Sequence, residues 1–243
     1  MSYYRKQYGR RIFMKRITGI FIVLSLVLMS CNAPGVAKVY VSTSDVDLTK
    51  LLAPPPAQDS AQTKAEIKEI LIFQESRTKQ MADFAAADQN ITVYRFADVL
   101  GDKFKKENLP LTTAFFDEVV ENAKKIVDPA KNYWKRPRPY EADKRVNPCV
   151  NKPGNASYPS GHSTIGNLIA IILANMVPEK KEELFNRGLT FALNRVIGGV
   201  HYRTDIEAGR IAAALIAEDM FNNEEFKEDF ESAKAELRKV LGY

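Results

Sequence analysis

The chain has 243 residues, 45% of them apolar and 27% charged, which suits one globular domain with its own core and is too apolar for disorder. A formal charge of +5 suggests a polyanion partner, yet six of the 35 basic residues (Arg5, Lys6, Arg10, Arg11, Lys15 and Arg16) crowd the first 16 positions, and residues 1–30 hold no acid. From residue 31 onward 29 basic residues face 30 acidic ones, so the electrostatic footprint of a nucleic-acid binder is absent.

The basic start runs into an apolar stretch from Ile17 to Met29, broken by Thr18, Gly19 and Ser25. That is too short to span a bilayer and fits the core of a signal peptide over residues 1–30. Leu28-Met29-Ser30-Cys31 resembles the lipobox of bacterial lipoproteins, with Cys31 as the lipidated residue and Met29 an untypical middle position. An ordinary secretory cut near Ala37 is the alternative. Either predicts export, to a periplasm or to a lipid anchor in a bacterial envelope, with no other membrane attachment. Met14-Lys15-Arg16 offers a second start site. Of the two cysteines, Cys149 is alone if Cys31 is lipidated, and no intrachain disulfide can then form; if Cys31 is kept, a bridge to Cys149 is open but has nothing in the sequence to support it.

Residues 31–62, with Pro34-Gly35 and Pro54-Pro55-Pro56, read as a Pro-rich tether, and residues 63–243 as a single all-α domain. Thr63 with Glu66 makes a capping-box signature ahead of Ile67, Ile70 and Leu71. A second helix is expected near 91–105. A third is expected over 112–127, where Phe115, Val119, Ala123 and Val127 recur at four-residue steps. Pro137 to Pro159 shows no period and reads as a long loop of the functional kind. Helices resume over 162–176, 179–197, 205–221 and 224–240. No stretch alternates with period two.

The chain has two histidines, His162 and His201, each flanked by glycine in a polar cluster. In Tyr158-Pro159-Ser160-Gly161-His162-Ser163, Ser160 can cap the following helix and Gly161 lets a ligand approach the backbone; a plain Ser-Gly turn is the other reading. In the second cluster Gly198-Gly199 should end a helix near Arg195, and Thr204 with Glu207 makes a capping box. Asp205 can then accept the His201 ring N–H, or be an ordinary acid at a helix start. The third cluster, Lys131 to Pro139, is either a solvated basic turn or a stiff Arg-Pro-Arg-Pro frame suited to a tetrahedral oxyanion.

Taken in order, Lys131-x6-Arg138-Pro139, Pro159-Ser160-Gly161-His162 and Arg195-x5-His201-x3-Asp205 resemble the three-part signature of the type-2 phosphatidic acid phosphatase superfamily, and within it the bacterial class A non-specific acid phosphatases. Asn194 departs from the Ser usual there. The resemblance implies a compact helical domain of the acid phosphatase and vanadium haloperoxidase type. It implies hydrolysis of phosphate monoesters, with phosphotransfer to alcohols open to any phosphohistidine enzyme. His201 is then the nucleophile, Asp205 its orienting partner and His162 the general acid. Lys131, Arg138, Arg195, the Ser160 hydroxyl and the Gly161 N–H hold the phosphoryl oxygens.

A phosphorylated small molecule is the expected partner, and a homo-oligomer stays open. No cofactor is expected. No metal is expected either, because three converging cations would repel one. The alternatives carried forward are a vanadate-dependent haloperoxidase, a lipid phosphate or pyrophosphate phosphatase, and a non-catalytic phosphate-binding lipoprotein. Tyr133, Trp134 and Tyr158 are the candidate neighbours of the leaving group.

Overall fold

Among residues 37–243, which the computed structural model describes, the regular elements are helices and no strand is present. In chain order they are α1 (Leu48–Leu51), α2 (Ala61–Ser76), α3 (Lys79–Ala87), α4 (Ala97–Leu100), α5 (Pro110–Trp134), α6 (Pro139–Ala142), α7 (Gly161–Met176), α8 (Lys181–Ile197), α9 (Arg203–Asn222) and α10 (Glu224–Leu241). The leader read over residues 1–30 and the lipidation site at Cys31 lie outside the described residues. No described helix is long and apolar enough to cross a membrane.

Helix α7 forms the centre. It is apolar nearly all round, and of its residues only Gly161, His162, Ile171 and Asn175 are not buried. A helix of that composition needs neighbours on every side, and α7 packs chiefly on α8 and α9, with α5 and α10 completing the shell. Glycine sets how closely they approach. A Cβ on Gly166 would stand 2.6 Å from Cδ1 of Phe191 in α8, and one on Gly209 in α9 would stand 2.7 Å from the Ser160 carbonyl. Each helical glycine costs about 1 kcal/mol of propensity; here it lets the start of α7 sit directly against α8 and α9. Helix α5 approaches the same point from its other end. Its last turn carries Lys131, and Lys135 at φ 49° stops it.

Three expectations need correction. The segment from Ala37 onward belongs to the domain and is not a tether. Tyr40, Val41, Val46, Leu48 and Leu52 are buried in the main core, the Tyr40 N–H donates to Asn122 Oδ1 (2.9 Å), and the Tyr40 hydroxyl donates to Asp229 (2.6 Å). These apolar residues follow no helical period because the segment is largely irregular backbone held by side chains of α5 and α10. The helix expected near 91–105 is instead a 3₁₀ turn over Val93–Phe96 and the short α4, ended by Gly101 at φ 84°. Phe96 and Phe104 anchor that stretch inside the core. Both capping boxes are displaced: Ser60 caps α2, so Glu66 is free to turn inward, and α9 opens at Arg203 with Asp205 closing back on the Tyr202 N–H (2.9 Å). Helix α3, unforeseen, is capped by Thr78.

Burial of the 37–52 segment is directly testable. Leu48→Ala should lower stability by about 2–5 kcal/mol in urea titration, as for a core leucine, whereas the same change in a tether would leave the midpoint where it was.

Candidate active site

The turn between α8 and α9 carries His201 inward. Helix α8 ends at Ile197, and Gly199, at φ 77°, reverses the chain in a conformation that side chains disfavour. The N–H groups of Val200 and His201 both return to the Arg195 carbonyl (3.1 and 3.3 Å), which fixes the imidazole relative to that arginine. Asp205 is the third residue of α9 and fully buried. Its Oδ2 accepts the His201 Nδ1–H (3.1 Å) and the Ser157 hydroxyl (2.5 Å), and its Oδ1 accepts Arg136 Nη1 (2.7 Å). With Nδ1 committed as a donor, Nε2 of His201 carries the lone pair, and Arg138 Nη1 donates to it (2.9 Å).

His162 is the second residue of α7. Ser160 caps that helix by accepting the Ser163 N–H (3.3 Å), while its own N–H donates to the Asp205 carbonyl (3.0 Å). Nε2 of His162 donates to the Gln89 carbonyl (3.1 Å), so Nδ1 is the nitrogen left for a ligand. The two imidazoles therefore hold opposite tautomers. A Cβ on Gly161 would meet only Lys131 Cε and Val127 Cγ1, each at 3.8 Å, so the backbone there is open to an approaching group.

Lys131, Arg138 and Arg195 are all buried around these histidines. Lys131 Nζ donates to the Ala156 carbonyl (2.8 Å). Arg138 donates to the Asn155 carbonyl (2.9 Å), to Asn155 Oδ1 (2.7 Å) and to the Val200 carbonyl (2.8 Å). Nε and Nη1 of Arg195 are buried with no hydrogen-bond partner among the described residues. Burial and the charge excess together show in Lys131 and in both histidines. Burial, then the nearby Arg138, pushes Lys131 down to about 7. Burial, then Arg195, pushes His162 down to about 3. Burial, followed by Arg138, Lys131 and Arg195, holds His201 well below the ordinary imidazole value. Such a site favours any ligand that brings negative charge.

Lys131, Arg138, Gly161, His162 and His201 line one cavity of about 290 Å³. Ser160, Arg195 and Asp205 do not line it; Asp205 reaches it through His201. The candidate leaving-group aromatics are elsewhere: Trp134 and Tyr158 pack edge to face on each other (4.9 Å), and Tyr133 is 67% exposed. Ile91, Val127, Pro153 and Ile165 form the apolar part of the cavity, with Lys124 and Asp128 as its remaining charged lining. Among the described residues no cluster of three or more His, Cys, Asp or Glu has metal-binding geometry.

The sequence reading missed Arg136, Ser157, Glu66 and Gln89. Arg136 lies buried between Asp205 (2.7 Å) and Glu66 (3.0 Å), with its guanidinium 3.9 Å from the centre of the Tyr202 ring. Its signal was present in the Arg-Pro-Arg-Pro frame, where residues two apart on extended backbone point to opposite sides. Gln89 acts through its backbone carbonyl and leaves no mark in composition.

A helical domain that brings Lys131, Arg138 and two histidines to one cavity, with Arg195 and Asp205 buried behind it, has the make-up of an oxyanion site. The chain belongs to the PAP2 superfamily, whose model matches residues 111–223. It is 30% identical over 203 residues to an acid phosphatase of Zymomonas mobilis, covering 78% of this chain and 75% of that one. It is 30% identical over 206 residues to a non-specific acid phosphatase of Providencia stuartii, covering 80% and 82% respectively. In fold it is similar to a bacterial vanadium-dependent iodoperoxidase (TM-score 0.55, 20% identity), covering 70% of this chain but 52% of that longer one. It is also similar in fold to a transmembrane PAP2-type phosphatidylglycerolphosphate phosphatase of Bacillus subtilis (TM-score 0.50, 16% identity), covering 67% of this chain and 86% of that one.

Arg136→Ala leaves Asp205 and Glu66 buried without their cation and should cost about 3–5 kcal/mol of stability by urea titration. A second expectation concerns pH. His162 falls from an ordinary 6.5 to about 3 on folding, so the unfolded chain binds its proton first. Its contribution is intact above pH 6.5 and is lost as pH falls from there toward 3. The stability difference between wild type and His162→Ala should therefore shift against the wild type over that window, and inorganic phosphate should oppose the shift.

Proposed function

We propose that the protein is a metal-independent acid phosphatase that hydrolyses phosphate monoesters through a phosphohistidine on His201. The observation that carries this reading is the pairing of His201 Nδ1 with Asp205, which leaves Nε2 as a lone pair aimed at the cavity where Lys131 and Arg138 converge. A phosphoryl group entering the cavity draws Arg138 Nη1 from Nε2 onto one of its oxygens. Lys131 and the Gly161 N–H serve the others at the cavity wall, with the charge of Arg195 and the Ser160 hydroxyl behind it, and fixed donors of this kind stabilise the equatorial charge of phosphoryl transfer without reorganising.

Nε2 then attacks phosphorus as the bond to the ester oxygen breaks, and the leaving oxygen takes the proton on Nδ1 of His162. In the second half, water attacks phosphorus, gives its proton back to His162, and the P–N bond breaks. An acceptor alcohol in place of water completes a phosphotransfer. Asp205 stabilises the cation that His201 becomes on phosphorylation, as the carboxylate does in other His–Asp pairs.

The proton on His162 arrives with the substrate. In the free site burial, and after it the surrounding cations, hold this imidazole neutral above about pH 3. A phosphate ester neutralises them, and because its second ionisation lies near pH 6 it can also bring a proton of its own. Activity should therefore peak on the acid side and fall as pH rises past that ionisation. The reading also includes export, which rests on the basic start and apolar run of residues 5–29.

The decisive experiment is hydrolysis of an aryl phosphate from pH 4 to 9 in excess chelator, with and without vanadate. Chelator-resistant, vanadate-sensitive turnover that disappears in His201→Ala is the expected result. His162→Ala should lose about 10²–10⁴-fold on alkyl esters and much less on aryl esters, whose leaving groups need little protonation. Equal losses on both classes would remove His162 as the acid. No turnover at any pH would move the reading to halide oxidation with vanadate and peroxide.

A further inference from the structure

The segment that holds His162 is itself held by a buried charge. Asp88 caps the C-terminus of α3, has no solvent exposure, and spends both carboxylate oxygens on four donors. Oδ1 accepts Arg187 Nη2 (2.6 Å) and Arg95 Nε (2.8 Å). Oδ2 accepts Arg187 Nη1 (3.0 Å) and Asn194 Nδ2 (2.7 Å). Arg187 and Asn194 are both on α8, so the pairing ties the end of α3 to the helix that delivers Arg195.

The next residue is Gln89, whose carbonyl accepts the His162 ring N–H, and whose side-chain Oε1 accepts the Asn151 N–H (2.7 Å). Arg187 reaches His162 by a second route. Its guanidinium lies 5.5 Å from the Phe191 ring centre, and that ring stacks on the His162 imidazole at 6.3 Å and 22°. One buried ion pair thus stands behind both the carbonyl that takes the ring proton and the face against which the ring lies.

We propose that Asp88, Arg187 and Asn194 are positioning residues for His162, setting its tautomer and ring orientation through the Gln89 carbonyl and Phe191. A carbonyl displaced by a few tenths of an ångström stops discriminating Nε2–H from Nδ1–H, and the imidazole then divides between forms, one of which presents the wrong nitrogen to the cavity. Asn194 gains a reason to be an amide: its side chain spans the distance from α8 to Asp88, where it supplies the fourth donor. The kinetic part of the inference rests on His162 being the proton donor of the proposed phosphatase; the structural part does not.

The test uses the histidine count. With two histidines in the chain, 15N-histidine labelling gives two imidazoles whose ring-nitrogen shifts report their tautomers. Wild type should show one Nδ1–H ring and one Nε2–H ring. In Asp88→Asn the Nε2–H ring should move to averaged shifts while the other keeps its form. Asn194→Ala, which leaves the Asp88–Arg187 pair in place, should do the same to a smaller degree and keeps the test available if Asp88→Asn does not fold.

On esters, Asn194→Ala should lower turnover of an alkyl phosphate more than that of an aryl phosphate. The excess should be on the order of tenfold, a fraction of what a positioned acid supplies. A folded Asn194→Ala whose two rings are unchanged would overturn the inference, as would equal losses on both esters. If wild type turns over neither ester, it is the phosphatase reading that fails, and the ring spectra still decide the positioning.

Discussion

The dominant physical constraint on this structure is the burial of Lys131, Arg138 and Arg195 within reach of one another. Cations taken from water and set side by side are expensive twice over, through lost hydration and through mutual repulsion. The fold meets that cost at Lys131 and Arg138 with carbonyl and amide oxygens of Asn155, Ala156 and Val200 in place of carboxylates. Oxygen dipoles of this kind satisfy the donors without cancelling the charge. The positive field stays available, and it adds to burial in depressing the proton affinities of Lys131, His162 and His201.

Asp205 and Glu66 are kept on the other side of Arg138. Arg136 and Arg138 flank Pro137 on an extended stretch and point opposite ways, Arg138 into the cradle and Arg136 toward Asp205 and Glu66. Glu66 in turn accepts the Thr204 N–H at the opening of α9 (2.6 Å), so α2, the arginine loop and α9 meet on one buried network. Asp205 belongs to both halves: it balances Arg136 and at the same time aligns His201. The separation of the two arginines explains how one tetrapeptide can hold Asp205 in place and keep that carboxylate away from Arg138.

Much of this was legible in the sequence wherever a strong local period or a glycine fixed the backbone. The ends of α7, α8, α9 and α10 fall within a few residues of expectation, because each is an amphipathic or wholly apolar run bounded by Gly, Pro or Asn. Lys131, Arg138, Gly161, His162 and His201 meet at one cavity because three clusters distant in sequence sit at the ends of helices that share α7 as a neighbour. What was not legible depends on tertiary partners. The 37–52 segment has no period because its burial is dictated by α5 and α10, which no local window contains. Glu66 and Glu207 matched capping boxes equally well, but Ser60 caps α2 in place of Thr63, and Arg136 and the Thr204 N–H hold Glu66 inward. Trp134 and Tyr158 looked like substrate contacts by proximity in sequence, and they satisfy each other instead.

The contact between Arg138 Nη1 and His201 Nε2 has a consequence for the resting protein. A neutral imidazole with a free lone pair is open to alkylation, acylation and oxidation by any small electrophile that diffuses in. Here the lone pair is engaged by a guanidinium, and the group that can lure that guanidinium away is one with oxygens and negative charge of its own. On the proposed reading an anion is what frees the lone pair, so selection for the reacting group begins before any bond is made.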